Sequence, residues 1–156
     1  MKLSSGWEQS VYVLLILGRL PEKRLMSAAP IAARLDVSPT YLHKIIKSLV
    51  NEGLISSTPG KYGGFSLAKP LTEITFYDVF LAIEGRGRIF ASQQLLKNFL
   101  GTEGDKAQKC AITDALDVIE NTLVSTLTKV TLAQVAKNTQ ENYELIDLDE
   151  WIAEHS

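Results

Sequence analysis

Six side chains in one short run have the right chemistry for reading a charged polymer: Thr40, Tyr41, His43, Lys44, Lys47 and Ser48. They supply hydroxyls, an imidazole and ammonium groups, and no acid follows them before Glu52. Such groups hydrogen-bond base edges in a DNA groove, while lysines neutralise phosphates. Bond-making chemistry has poorer candidates. There are two histidines, His43 and His155, far apart in the chain, and one cysteine, Cys110. These three do not compose a metal site. No nucleophile elbow, paired catalytic carboxylates or His-Glu metal motif is present. An enzyme is therefore the weakest class of function. Cys110 stands as a candidate redox sensor, because a helix start would favour its thiolate. The competing reading is a partly buried small side chain of no consequence.

The basic face needs a rigid element to carry it. Ser38 is a good N-cap and Pro39 suits the first helical position, where its missing N–H costs nothing. Leu42, Ile45, Ile46, Leu49 and Val50 recur at helical spacing and predict a buried side. Alone, this helix reads as a solvated amphipathic one; its neighbours overturn that reading. A preceding helix is predicted over residues 28–35, capped by Ser27, with Pro30 in its first turn and Ile31, Ala32 and Leu35 inward. Asp36 and Val37 make a tight link, so the pair reads as a helix-turn-helix. Gly53 is placed to end the second helix as a left-handed cap. Residues 54–57 and 65–68 then predict two short strands around the turn-rich Thr58-Pro59-Gly60-Lys61-Tyr62-Gly63-Gly64. A hairpin there is a wing. Lys61 sits at its tip, and Gly60, Gly63 and Gly64 would let backbone approach a phosphate or enter a minor groove. The glycine run lacks P-loop spacing.

The remaining elements frame this unit. A first helix over residues 4–20, stopped by Pro21, is apolar on nearly every side through VYVLLIL and predicts burial between two bodies. Trp7, Val11, Leu14 and Leu15 are assigned to one body, Tyr12 and Ile16 to the other. Thr75-Phe76-Tyr77-Asp78 predicts a capping box opening a helix that ends at Glu84-Gly85, with Phe76, Val79, Phe80 and Ile83 inward. Arg86 and Arg88 are expected in solvent. A short helix follows over 92–100, then a polar link over 101–105. The longest periodic segment is residues 109–129. There Ile112, Leu116, Ile119, Leu123 and Leu127 approach a heptad seam, which predicts pairing with a second copy, with part of the stripe expected to pack on the chain's own first helix. Thr131 is expected to cap a last turn over 132–137. The tail is acidic, and Leu148, Trp151 and Ile152 are placed to anchor a final turn on a partner or on the chain's own core.

Charge divides the same way. Residues 1–70 hold nine Lys/Arg against four Asp/Glu, and residues 71–156 hold seven against fourteen. A basic half meeting phosphate and an acidic half that does not fits this asymmetry. The longest apolar run is far too short for a bilayer span, and no signal-peptide pattern opens the chain. The expectation is a cytoplasmic protein without membrane attachment. Three regions result: residues 1–85 as a DNA-binding domain, 86–137 as a dimerisation region and 138–156 as the tail. The fold class is mainly α with a small β-hairpin, a winged helix-turn-helix plus a long dimerisation helix.

The runs YLHKIIKSLVNEGLI, GKYGGFSLAKP and ITFYDVFLAIEG, in that order, resemble the Rrf-two family of bacterial transcription regulators over about residues 1–137. The resemblance implies a homodimeric repressor on double-stranded DNA with dyad-symmetric sites. Carried over by position, Ser38, Thr40 and His43 match the base-facing residues, and the loop 60–64 matches the minor-groove wing. Members that sense through an iron–sulfur cluster have three cysteines between the short and long helices. In this chain KCAITDAL puts Cys110 at the last of these positions, and residues 98–109 hold no other cysteine. One thiolate leaves the ligand shell incomplete, so no cofactor and no metal is expected. The wing also has Thr58-Pro59 where several cluster-binding members place an arginine, which leaves minor-groove contact to Lys61 or weakens it. Other members, the resemblance implies, act through an effector protein or a metabolite. The rival function is thus a dimeric sensor or partner-binding module that does not touch DNA directly.

Overall fold

The computed structural model describes residues 3–91, 95–101 and 110–156. In chain order it contains α1 (Ser5–Gly18), α2 (Ala28–Arg34), α3 (Pro39–Asn51), β1 (Ile55–Thr58), β2 (Gly64–Leu67), α4 (Phe76–Glu84), α5 (Leu96–Leu100), α6 (Ala111–Lys129), α7 (Leu132–Asn142) and α8 (Ile146–His155). A 3-10 turn, Leu71–Glu73, leads into α4. The architecture is the mainly helical one expected, with β1 and β2 forming an antiparallel pair.

Helix α1 is the axle. Val13 and Leu14 are fully buried, with Val11, Ile16 and Leu17 nearly so, because α3, α4, β2 and α7 all pack around it. Its one polar core residue, Ser10, is satisfied locally by donating its hydroxyl to the Gly6 carbonyl at 2.6 Å. One expectation for this helix changes: Tyr12 is half exposed rather than inside a second body. Ser4 holds the N-cap position without a side-chain cap bond; its amide and hydroxyl both donate to Glu84 Oε1, at 2.9 and 2.7 Å, and tie the start of α1 to the end of α4.

Helix α2 packs Ile31 and Ala32 inward. The link to α3 turns through Asp36, whose φ of +51° is left-handed, and the Val37 amide closes it on the Ala32 carbonyl at 3.0 Å. Thr75 and Asp78 form the expected capping box on α4: the Asp78 amide donates to Thr75 Oγ1, and the Thr75 amide donates to Asp78 Oδ2 at 2.7 Å. The short helix expected over 92–100 is seen as Leu96–Leu100; positions 92–94 and 102–109, including most of the expected link, lie outside the described residues.

The C-terminal third folds back further than its sequence suggested. Thr131 caps α7 by accepting the Gln134 amide at 3.2 Å. Instead of one turn, α7 runs for 11 residues. It is stitched to the first part of the chain by two backbone bonds, Leu132 N–H to the Ile74 carbonyl at 2.8 Å and Phe76 N–H to the Val130 carbonyl at 2.9 Å. Helix α8 then docks on the chain's own core. Ile152 is 2% exposed, Leu148 and Trp151 pack beside it, and Arg19 makes a two-bond ion pair with Asp149 at 2.7 and 2.6 Å.

Candidate nucleic-acid interface

Helix α3 separates its two jobs by side. Leu42, Ile45, Ile46 and Leu49 are buried, whereas Thr40, His43, Lys44 and Lys47 are exposed. Ser38 accepts the Tyr41 amide at 3.4 Å, and Pro39 follows it at the first helical position as expected. Tyr41 does a different job from its neighbours. Its hydroxyl lies over Gly6, where an added Cβ would come within 2.9 Å, so its ring brackets α3 against α1 and is about a third exposed. Gly53 ends the helix with φ +73°, and the Leu54 amide returns to the Leu49 carbonyl at 2.9 Å. That return launches β1 directly from the end of α3.

The wing is β1, β2 and the loop between them, with Ile55 paired to Leu67 and Thr58 to Gly64. Met26 and Phe65 exchange both backbone bonds, at 3.1 and 2.9 Å, and so anchor the hairpin to the segment before α2. The glycines divide by role. A Cβ on Gly63 would lie 2.1 Å from the Thr58 carbonyl oxygen, and one on Gly64 2.9 Å from that of Met26. Both are required by the fold itself. Gly60, with φ +109°, has open space around it and keeps the tip turned. Lys61 stands there with its ammonium 5.6 Å from the ring centre of Tyr62. Tyr62 is 87% exposed and was not singled out from the sequence, although an aromatic in a glycine-rich tip was the available signal.

Arg86 and Arg88 are exposed but not idle. Arg86 pairs with Glu52, which caps the end of α3, and Arg88 pairs with Asp117 on α6. The Ile89 amide donates to Glu120 Oε1 at 3.3 Å, adding a further bond to the long helix.

The long helix α6 has no buried residue. It rests on α4; Leu116, Leu123 and Leu127 are partly covered, while Ile112, Val118 and Ile119 are 71, 65 and 53% exposed. The seam read from periodicity is thus two neighbouring stripes, one spent on the chain itself and one left open. Cys110 occupies the N-cap position of α6. Hydrogen bonding from the Thr113 amide, then the Ile112 amide and the Thr113 hydroxyl, pulls its thiol below the ordinary value, against desolvation and the nearby Asp114 charge.

Comparison with known proteins decides what this winged chain is. The family model Rrf2, described as iron-dependent transcriptional regulator, matches residues 3–138. The chain belongs to the Rrf2 family. Its relatives include YffB of Lactococcus lactis, named as an HTH-type transcriptional regulator, with 73% identity over 154 residues and 99% of each chain covered. YwgB of Bacillus subtilis, named likewise, is 40% identical over 152 residues, covering 97% of this chain and 95% of its own. Among solved structures, CymR (YrzC), titled the global cysteine regulator of B. subtilis, superposes with a TM-score of 0.66 at 23% identity, covering 89% of this chain and 98% of that one. IscR of T. potens gives 0.69 at 22% identity, covering 92% of each. These two similarities show the fold: a winged helix of Rrf2 type.

As an Rrf2 protein the chain is a transcriptional regulator, and its family and relatives are regulators rather than enzymes. The family description names iron, which raises the question of a ligand set. Among the described residues no three His, Cys, Asp or Glu side chains converge in a way that could hold a metal. The sequence offers one thiolate, Cys110, where a cysteine-ligated cluster takes several. These residues do not fit a cluster. Among the described residues no helix is long and apolar enough to cross a membrane.

Proposed function

We propose that the protein is a homodimeric repressor that binds a dyad-symmetric operator, with α3 in the major groove and the wing in the minor groove. The observation that carries this reading is the partition of α3: an acid-free exposed side bearing Thr40, His43, Lys44 and Lys47 opposite a fully buried one. A helix held that firmly can present donors to base edges at fixed register, which a solvated helix does not need. Ser38, Thr40 and His43 take the base-facing role. Lys44, Lys47 and the wing-tip Lys61 neutralise phosphates, with Gly60, Gly63 and Gly64 keeping the tip narrow and Tyr41 bracing α3. The division into a DNA-reading part, residues 1–85, and a dimerisation part, 86–137, belongs to this proposal.

The open stripe on α6 supports a second copy. Ile112, Val118 and Ile119 leave apolar side chains in water along α6, the kind of surface that marks an interaction site. Pairing two α6 helices through it buries those side chains and sets two α3 helices about one DNA turn apart, roughly 34 Å or a multiple. Sedimentation of the free protein together with mobility shift on its own promoter DNA tests both halves. A dimer that loses binding on Lys44→Ala and Lys47→Ala supports the proposal. His43→Ala is expected to change sequence preference more than overall affinity. A stable monomer, or DNA binding indifferent to all three changes, contradicts it.

A further inference from the structure

Between α1, α2, α7 and α8 lies a cavity of about 260 Å³ that none of the roles above uses. Tyr12, Leu15 and Ile16 of α1, Leu35 at the end of α2, Ala136 of α7 and Leu148 of α8 give it apolar walls, and two arginines, Arg19 and Arg34, stand among them. The two cations differ. Arg19 is held by a two-bond pair with Asp149. Arg34 donates a single amino N–H to Asp147 at 2.5 Å, and Asp147 is 86% exposed. Its other guanidinium donors have no protein acceptor among the described residues. The guanidinium also lies over the Trp151 ring, 5.2 Å from its centre, which fixes its plane. An apolar slot is thus bordered by an oriented guanidinium whose one partner is held weakly, as a pair in water is.

We propose that this cavity is an effector site for a small amphipathic carboxylate, with the apolar body between α1 and α7 and the carboxylate on Arg34 in place of Asp147. Charge complementarity selects the head group, since a carboxylate matches a guanidinium fork with two parallel bonds. Volume selects the size, because the slot is smaller than those that hold drug-sized ligands, roughly 300–1,000 Å³. The site also has a route to α3. Leu35 is the C-cap residue of α2 and precedes the left-handed Asp36 turn. An occupant pressing on Leu35 moves the turn that sets α3 against α2, while loss of the Arg34–Asp147 pair loosens α8 from α2. The ligand therefore lowers operator affinity.

The regulatory half rests on the DNA-reading proposal above, so binding is measured without DNA. Calorimetric titration of the full chain with octanoate is expected to give saturable binding, with octanamide at least tenfold weaker. Arg34→Gln is expected to bring octanoate down to the octanamide level, and Ala136→Phe to abolish both by filling the slot. Thermal unfolding of each variant shows that it is folded, and Thr139→Met, on α7 at the same cavity wall, is a second filling variant if Ala136→Phe is not. Saturating octanoate is then expected to weaken operator binding at least fivefold in the wild type and not in Arg34→Gln. No saturable heat with octanoate, or equal affinity for the amide, overturns the site. Binding that survives both filling variants places it elsewhere. Octanoate heat that falls away as protein concentration rises assigns the slot to a second copy and likewise overturns the proposal. Binding without any change on the operator overturns the regulatory half while leaving the DNA-reading proposal intact.

Discussion

Replacing Ile152 with alanine tests whether α8 is part of the working fold or an appendage. Ile152 is 2% exposed and belongs to the same core as Val13, Ile31 and Leu132, although it lies beyond residue 138, where the family match stops. The substitution removes three carbons from a closed site. At about 0.8 kcal/mol per buried methylene the transfer cost is about 2.4 kcal/mol. The gap left behind adds to this, and measured Ile→Ala costs in cores run about 2–5 kcal/mol. Helix α8 is terminal and can settle partly into the gap, so about 3 kcal/mol is expected. For a chain of this length each kcal/mol moves the unfolding midpoint by about 2–4 °C, giving a drop of roughly 6–12 °C. Ile146 provides the control on the same helix: it is 65% exposed, and Ile146→Ala is expected to stay within about 0.5 kcal/mol. Urea and thermal unfolding of the three proteins read the difference. Equal midpoints for Ile152→Ala and wild type would refute the placement of α8 in the core.

Three other outcomes are expected. Thr75→Ala removes the α4 cap and should destabilise by about 1 kcal/mol, read as a lower urea midpoint at unchanged slope. Asp149 is held below the ordinary carboxylate value, first by its bond from Arg19. The stability this adds is present above the unfolded value near 3.8 and is lost as pH falls through the folded one. Because the carboxylate is half exposed, screening keeps the contribution below about 1 kcal/mol; Asp149→Asn should therefore differ slightly from wild type at neutral pH and converge with it in acid. The thiol of Cys110 is shifted down, so alkylation by iodoacetamide should reach half its maximal rate at a lower pH than a free cysteine does. If Cys110 is a sensor, peroxide weakens operator binding in the wild type and leaves Cys110→Ser unchanged; loss of binding in both excludes that role.

The helix-turn-helix and the wing were legible because their signals are local. Ser38-Pro39, Gly53 and the Thr75/Asp78 box mark ends within a few residues, and Leu42, Ile45, Ile46 and Leu49 mark a side. The misjudged parts depend on distant partners. Helix α7 has few apolar residues beyond Leu132 and Val135, so its periodicity gave no reason to extend it; its anchor is the backbone of Ile74 and Phe76. Helix α8 is placed by burying Ile152 in the same core as Val13 and Ile31, more than a hundred residues earlier in the chain, with Arg19 and Arg34 pairing to it at the rim. On α6 a single periodicity covers two contacts. Nothing in the spacing says that Leu116, Leu123 and Leu127 are partly covered while Ile112 and Ile119 stay outside. Tyr41 shows the same limit on the recognition helix, since its tie to α1 depends on the absence of a side chain at Gly6.

The central claim is that α3 meets DNA through its lysines while its other exposed groups read bases. The direct measurement is the affinity for fluorescently labelled promoter DNA across a range of salt, by anisotropy, for wild type, Lys44→Ala and Lys47→Ala. A specific dimer neutralising several phosphates should show log K falling steeply with log salt, by about 0.9 per phosphate contacted. Each lysine substitution removes one contact per subunit, or two per dimer, and should flatten that slope by about 2. A slope unaltered by both substitutions, or no preference for the promoter over unrelated DNA, would contradict the account.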